Sequence, residues 1–111
     1  MSKRNEEDFL LDIMEASRRI LSYTQGVDYT SFMEDLKTQD SVIRNLEIIG
    51  EAVKNLSKEF RAQHDHIPWK SMSGMRDRLI HDYFGVNLDI VWGVISEDLP
   101  ILFEKIGKIV Y

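Results

Sequence analysis

The sequence predicts an all-α protein, an up-and-down bundle of four main helices joined by short helical pieces. Apolar residues recur every three or four positions along most of the chain, which is the spacing of a helix face that packs on a core. The period-two alternation of strands is absent, as are internal repeats and low-complexity linkers. A chain of 111 residues has the length of one domain, so we expect residues 1–111 to form a single helical domain.

The first main helix is predicted over residues 5–25, where apolar side chains share one face and charged ones lie opposite. Gly26 is expected to end this helix, because glycine readily adopts the left-handed conformation that follows a helix. Asp28 or Thr30 is then expected to cap a short second helix.

The second main helix is expected to open at Asp40 or Ser41, both of which are good N-cap residues. Its core-facing stripe repeats every three or four residues and contains Val42, Leu46, Ile49, Val53, Leu56 and Phe60. Gly50 lies inside this helix and predicts a close approach of a neighbouring helix, since glycine is otherwise unfavourable there.

Proline and serine divide the next segment. Pro68 prevents the preceding helix from continuing, because it disfavours the helical conformation of the residue before it. One helical turn is expected over residues 69–72, and Ser73 is predicted to cap a separate helix over residues 74–83.

The last main helix is predicted over residues 88–110, with Asn87 as its N-cap. Nine apolar positions in this range have helical spacing. Pro100 is expected to kink the helix or break it in two, since it lacks an amide hydrogen and clashes with the preceding turn.

Composition excludes several classes of site and protein. The absence of cysteine excludes a disulfide framework, a thiolate zinc site and a cysteine nucleophile. The sequence has no apolar run long enough for a membrane span and no signal-peptide pattern at its start, so a cytoplasmic location is expected. A net charge of −5 argues against broad, non-specific binding of nucleic acid. No cofactor or metal ion is expected.

The densest cluster of reactive side chains lies in the segment from Ser73 to Tyr83. Each helical residue advances by about 100°, so Arg76 and His81 point about 140° apart, whereas Asp77 shares a face with His81 and can orient its imidazole. Tyr83 returns to the side of Arg76. Arg76 and His81 can therefore meet at one ligand through the reach of arginine or across a contact with a second copy, and we favour a composite site in a homodimer.

These residue types suit phosphodiester chemistry. Arginine offers a permanently charged planar fork for phosphate, and histidine transfers protons near neutral pH. The pair Arg76 and His81 would suffice for metal-independent RNA cleavage, in which the ribose 2′-hydroxyl is the nucleophile. The predicted helix start at Ser73 would add backbone amides that favour an anion, so Ser73 and Arg76 are predicted to bind phosphate. The alternative to a catalytic site is a solvated polar helix face, with Tyr83 half-buried as a packing residue.

Other polar residues have two interpretations each. Glu47 and Glu51, four residues apart on the predicted second main helix, reach toward the motif and hold Arg76 or Arg44, or else form a row of surface ion pairs. We take Glu51 as a supporting residue of the site. His64 and His66 have no further ligands near them in the sequence, so a polar loop is expected there instead of a metal site. Trp69, Trp92, Met72 and Met75 are expected to pack in the core or at an interface.

A family resemblance strengthens the functional interpretation. The string RDRLIHDY, residues 76–83, resembles the R-x4-H-x-Y motif of HepT-like proteins, a branch of the HEPN superfamily. The resemblance extends to LEIIGEAVKNLS at 46–57, IPWKSMSGMRDRLIHDYFGV at 67–86 and VWGVISEDLPIL at 91–102. It therefore covers most of the chain, with its segments in the order and spacing of that branch.

The resemblance implies a homodimeric helical ribonuclease toxin paired with a small nucleotidyltransferase antitoxin of the MNT type. It implies that Arg76 and His81 are the catalytic pair, that Asp77 supports them, and that Tyr83 accepts AMP from the antitoxin, which blocks the toxin. The alternative is a non-catalytic subunit that binds nucleotide or substrate for a nucleotidyltransferase. A dimerising scaffold in which Arg76 and His81 make structural hydrogen bonds is a third, blander possibility.

Overall fold

The computed structural model of the chain describes residues 4–81 and 87–111. These residues contain no strand, and their helices are, in order, α1 (Glu6–Tyr23), α2 (Tyr29–Glu34), α3 (Leu36–Asn55), α4 (Lys58–Gln63), α5 (Trp69–His81), α6 (Leu88–Gly93), a π-helical turn (Val94–Asp98) and α7 (Leu99–Val110). The all-α prediction is confirmed. The four main helices are α1, α3, α5 and the interrupted C-terminal helix formed by α6, the π turn and α7.

Helix α3 lies at the centre of the bundle. It packs against α1 and against α5, while α7 packs against α1. The predicted stripe on α3 is confirmed, since Val42, Leu46, Ile49 and Val53 are all completely buried. Each such side chain contributes about 1.5–3 kcal/mol through removal of apolar surface from water, so this stripe is a main source of the bundle's stability.

Side-chain caps mark the helix starts, as the sequence predicts for two of them. Asp28 accepts a hydrogen bond from the Ser31 amide at the start of α2, and Asn87 accepts one from Asp89 at the start of α6. Gly26 ends the turn after α1 with a φ of 74°, a conformation that side-chain-bearing residues rarely adopt. These three predictions are confirmed.

The predicted start of the second main helix is wrong. Helix α3 begins at Leu36, about one turn before Asp40, because Asp35 is extended and its carboxylate accepts a hydrogen bond from the Thr38 amide at 3.1 Å. Ser41 lies inside the helix, where its hydroxyl donates to the Lys37 carbonyl at 2.9 Å. The segment contains three good capping residues, Asp35, Asp40 and Ser41, and the first of them caps the helix.

The predicted end of this helix also differs. Helix α3 ends at Asn55, Leu56 is extended, and Ser57 caps the separate helix α4 by accepting a hydrogen bond from the Phe60 amide at 3.0 Å. Leu56 is buried and Phe60 is half-buried, so both apolar positions still face the core. The apolar spacing continues through the break between α3 and α4, so a prediction from periodicity alone treats the two helices as one.

The C-terminal helix is interrupted by a π turn before Pro100, but the backbone stays helical from residue 88 to residue 110, so the predicted break into two helices does not occur. Pro100 lies in the first turn of α7, directly after the π turn. Proline at this position cannot donate to the carbonyl four residues earlier and its ring clashes with it. The wider π turn relieves this conflict, and the Ser96 hydroxyl donates to the Trp92 carbonyl at 2.7 Å within it. Within the part of the chain that the structure describes, no helix is both long and apolar enough to cross a bilayer.

The Asp35 cap predicts a specific acid sensitivity. Hydrogen bonds from the Thr38 hydroxyl and amide lower the pKa of Asp35 from its ordinary value of 3.8. A lowered pKa stabilises the fold fully above pH 3.8, and this stabilisation is lost as the pH falls through the pKa of the folded state. Urea unfolding between pH 7 and pH 2 should therefore show a smaller acid-induced loss of stability in Asp35→Asn, which keeps a cap but does not titrate. Asp40→Asn, on the exposed side of α3, is the matched control; equal acid slopes in both variants would contradict this account.

Candidate functional site

Helix α5 carries the polar motif as one uninterrupted helix from Trp69 to His81. The predicted N-cap at Ser73 is wrong, because the helix already begins behind Pro68, whose carbonyl accepts a hydrogen bond from the Met72 amide at 3.3 Å. The Ser73 hydroxyl instead donates to the Lys70 carbonyl at 3.3 Å. Proline fits immediately before the first turn, since its missing amide hydrogen has no role there.

This continuity removes the predicted anion site at the backbone of residues 73–75. Only the first four amides of a helix lack a partner within the helix. Residues 73–75 are the fifth to seventh residues of α5, so their amides follow the first turn. Phosphate binding by Ser73 therefore has no support from a helix end. It stays a prediction that concerns the half-buried hydroxyl alone.

Apolar side chains fix α5 to the bundle. Met72 is completely buried, and Trp69, Met75 and Leu79 are nearly so. The Trp69 indole donates to the His64 carbonyl at 2.9 Å, which satisfies its one polar atom. The prediction that Met72 and Met75 pack this helix onto the bundle is confirmed. The outer side of α5 carries polar residues, with Asp77 half-buried and Arg78 exposed.

An ion pair between Asp77 and Lys54 links α5 to α3. The two side chains are 47% and 38% exposed, so the pair lies at the surface of the helix interface and is well screened by solvent. The spacing of residues on α5 predicts that Asp77 orients His81, whereas the pairing of Asp77 with Lys54 is not evident from the sequence. The spacing of residues within one helix indicates intrahelical neighbours, whereas a partner on another helix depends on how the two helices pack.

The structure fixes the backbone of Arg76 and His81 on α5, five residues apart on one regular helix. Their Cα–Cβ directions therefore differ by about 140°, as the sequence predicts. The side chains of Arg76 and His81 lie outside the described part of the structure, as does the whole of Tyr83. The roles assigned to these three residues accordingly stay predictions.

A groove of about 380 Å³ lies between the start of α1 and the outer face of α3. Glu51, predicted as a supporting residue, is exposed on its rim, one helical turn before Lys54. The Glu51 backbone carbonyl and carboxylate accept hydrogen bonds from the Asn55 side-chain amide at 2.8 Å and 3.5 Å. The predicted ion pair between Glu47 and Arg44 is absent from the described contacts, although both residues line the same groove.

The loop between α4 and α5 contains two histidines whose rings lie 6.2 Å apart, and the His64 ring packs against Phe60 at 4.6 Å. In residues 4–81 and 87–111, no group of three or more histidine and carboxylate side chains is arranged to hold a metal ion. Within that range, the loop offers His64 an aromatic neighbour and no ligand cluster.

Comparison with known proteins places this chain among ribonuclease-like sequences. It matches the family described as Ribonuclease HepT-like over residues 13–109. It is 48% identical over 109 residues to a protein of Thermococcus cleftensis named "Probable ribonuclease HepT", with 96% of this chain and 99% of that protein covered. It is also 42% identical to a candidate RNase of Methanocaldococcus jannaschii, with 99% and 91% covered, and 43% identical to a candidate RNase of Caldanaerobacter subterraneus subsp. tengcongensis, with 91% and 90% covered. No solved structure matches the chain.

The packing of α5 predicts an asymmetry between two kinds of substitution. Met72→Ala should lower the free energy of unfolding by about 2–5 kcal/mol, because it opens a cavity under the motif helix. Lys54→Gln should lower it by less than about 1 kcal/mol, because surface ion pairs contribute little. Urea denaturation followed by circular dichroism measures both. A larger loss in Lys54→Gln than in Met72→Ala would mean that the ion pair, and not apolar packing, holds α5 in place.

Proposed function

Because the chain belongs to the HepT-like ribonuclease family, we propose that it is a metal-independent endoribonuclease, the toxin of a toxin–antitoxin pair. The observation that carries the proposal is the position of Arg76 and His81 on α5, a continuous helix with a buried apolar side and with Asp77 and Arg78 toward the surface. Relatives at 42–48% identity bear ribonuclease names, which agrees with this proposal. A cytoplasmic location stays a prediction.

The proposed reaction needs only the RNA and two side chains. The ribose 2′-hydroxyl loses its proton and its oxygen attacks the adjacent phosphorus. The bond from phosphorus to the 5′-oxygen breaks, and the leaving 5′-oxygen gains a proton. Arg76 would stabilise the charge that builds up on the phosphate oxygens, and His81 would move the proton to or from the reacting oxygens. The products are a 2′,3′-cyclic phosphate and a 5′-hydroxyl, so atoms and charge balance without a metal ion or a cofactor.

Asp77 and Glu51 are proposed as supporting residues of this site. Asp77 lies one residue after Arg76 and shares a face of α5 with His81, so its carboxylate is suited to orient the imidazole. Its carboxylate also forms the ion pair with Lys54 at the interface between α3 and α5. Glu51 lies one turn from Lys54 on α3 and therefore on the side of α3 that borders α5.

A homodimer would solve the geometric problem of the motif. Arg76 and His81 of one chain diverge by about 140°, which is a poor arrangement for two groups acting on one phosphate. A two-fold axis near α5 would bring Arg76 of one subunit opposite His81 of the other, and each dimer would hold two such sites. We therefore propose that the active form is a homodimer with composite sites.

Regulation is proposed to involve a nucleotidyltransferase partner of the MNT type. Transfer of AMP from ATP to the hydroxyl oxygen of Tyr83, with release of pyrophosphate, would place a bulky anionic group two residues after His81, beside the phosphate site. Such a group would occupy the position of the RNA phosphate and repel the RNA backbone. Tyr83 would thus act as the site at which the partner switches off the enzyme.

The alternative function is a non-catalytic subunit that presents nucleotide or substrate to a nucleotidyltransferase. The net charge of −5 favours it, because an acidic protein repels the RNA backbone over most of its surface. This alternative predicts that the purified chain alone does not cleave RNA.

Two substitutions test the catalytic proposal. Arg76→Ala and His81→Ala should each lower RNA cleavage by at least about a hundredfold in the presence of EDTA, since each removes a group that acts in the transition state. Arg78→Ala is the matched control, because Arg78 is an exposed arginine on the same helix, and it should keep activity within severalfold of the wild type. Cleavage is measured on a single-stranded RNA labelled at one end. Unchanged cleavage by His81→Ala, or none by the wild type, would contradict the proposal.

A conservative change at Tyr83 tests the proposed regulation. Tyr83→Phe removes the hydroxyl that would accept AMP and keeps the ring, so RNA cleavage should persist while incubation with the partner and ATP no longer inhibits it. The mass of the wild-type protein should rise by one adenylyl group under the same conditions, and that of the variant should not. If the partner inhibits Tyr83→Phe as strongly as the wild type, inhibition does not proceed through this tyrosine.

A further inference from the structure

We infer that the groove between α1 and α3 is a subsite that binds one guanine base of the RNA, next to the phosphate that is cleaved. The inference rests on the proposed ribonuclease function and adds a substrate preference to it. Four features of the groove support it: its position, its size, its stacking surface and the chemistry of its rim.

Helix α3 connects the groove to the motif helix. Glu51 is on the rim of the groove, and Lys54, one turn further along α3, forms the ion pair with Asp77 of α5. Asp77 directly follows Arg76 in the sequence. In the proposed subsite, a nucleotide bound at Arg76 extends its base along α3 into the groove.

The size and floor of the groove suit a single base. A volume of about 380 Å³ lies at the lower end of the range for small-molecule sites, which begins near ~300 Å³. Phe9, Ile48 and the buried Ala52 form an apolar floor. A groove of this size has room for one nucleoside and not for a folded stretch of RNA.

A stacking surface lies at one end of the groove. The Arg4 guanidinium lies over the Phe9 ring, 5.1 Å from its centroid, and an ion pair of 2.6 Å to Asp12 holds it there. RNA-binding proteins stack unpaired bases on aromatic rings and on guanidinium planes. Arg4 and Phe9 together offer such a plane, already ordered by a neighbouring carboxylate.

The rim favours guanine over the other bases. Glu47 is half-buried on the rim of the groove and makes no ion pair with any described residue. Its carboxylate only accepts hydrogen bonds, so it is suited to a ligand that offers donors. Guanine carries two adjacent N–H donors on its Watson–Crick edge, at N1 and at the 2-amino group, whereas each other base presents an acceptor beside its donor. Arg44, one turn away, is placed to contact a neighbouring phosphate.

The charge of the groove also favours reading a single base. Carboxylates of Asp12, Glu47 and Glu51 surround it, and with a net charge of −5 the protein does not attract a long stretch of RNA backbone. Asp12 already pairs with Arg4, and Glu51 accepts a hydrogen bond from Asn55, so Glu47 is the carboxylate assigned here to the base N–H groups. Recognition through the base edge reconciles these acidic residues with an RNA substrate.

Replacing guanine by hypoxanthine tests the subsite. Two single-stranded RNAs are compared, identical except that every guanosine of one is inosine in the other, which lacks only the 2-amino group. The wild type should cleave the guanosine RNA with a kcat/KM about tenfold to a hundredfold higher, the usual effect of losing a hydrogen bond to a charged group. Glu47→Gln should reduce this ratio to about threefold or less. Loss of the negative charge at residue 47 raises the affinity for both RNAs equally, so it does not change the ratio of the two kcat/KM values.

Glu104→Gln is the matched control, because Glu104 is an exposed carboxylate on α7, outside the groove, and the guanosine-to-inosine ratio should not change. Binding of uncleavable 2′-O-methyl versions of both RNAs, measured by fluorescence anisotropy, separates this inference from the proposed function. Tighter binding of the guanosine form that depends on Glu47 supports the subsite even if no RNA is cleaved. Equal binding and equal cleavage of both RNAs by the wild type, or an unchanged ratio in Glu47→Gln, would overturn it.

Discussion

Burial of the apolar stripe on α3 is the constraint on which the rest of this structure depends. Val42, Leu46, Ile49 and Val53 are removed completely from solvent, which requires helices on both sides of α3. Helix α1 covers one side, and α5 covers the other with Met72, Met75 and Leu79. The polar face of α5 must then point outward, because its apolar face is committed to the core. Asp77 and Arg78 are thereby placed toward the surface of the bundle.

The same packing determines what lies around the motif. The outer face of α3 carries charged residues at helical spacing, and the contact of α3 with α1 and α5 places some of them in the groove and one of them, Lys54, against Asp77. The burial of the inner side of α3 therefore positions both regions to which we assign a function, the proposed catalytic helix and the proposed base-binding groove. Substitutions in the core should disturb both features together, whereas substitutions on the rim should separate them.

Sequence periodicity predicted the helices well and their ends less well. The apolar stripes of α1, α3 and the C-terminal helix have the spacing that burial requires, and Gly26, Asp28 and Asn87 act as predicted. The starts of α3 and α5 were misplaced, because several capping residues compete within a few positions and local chemistry does not rank them. The ion pair between Lys54 and Asp77 was missed, because it depends on the packing of two helices that are distant in sequence.

The family resemblance predicted from residues 46–57, 67–86 and 91–102 is confirmed by the match over residues 13–109. A composite site in a homodimer is the central claim of the proposed mechanism, because Arg76 and His81 of one copy point about 140° apart. Mixing subunits tests it most directly. Arg76→Ala and His81→Ala, each inactive alone, are coexpressed with different tags and the mixed dimer is assayed for RNA cleavage. A composite site predicts recovery of about half of the wild-type activity per mixed dimer, because one of its two sites combines an intact Arg76 with an intact His81. A mixed dimer as inactive as its parents would contradict the account.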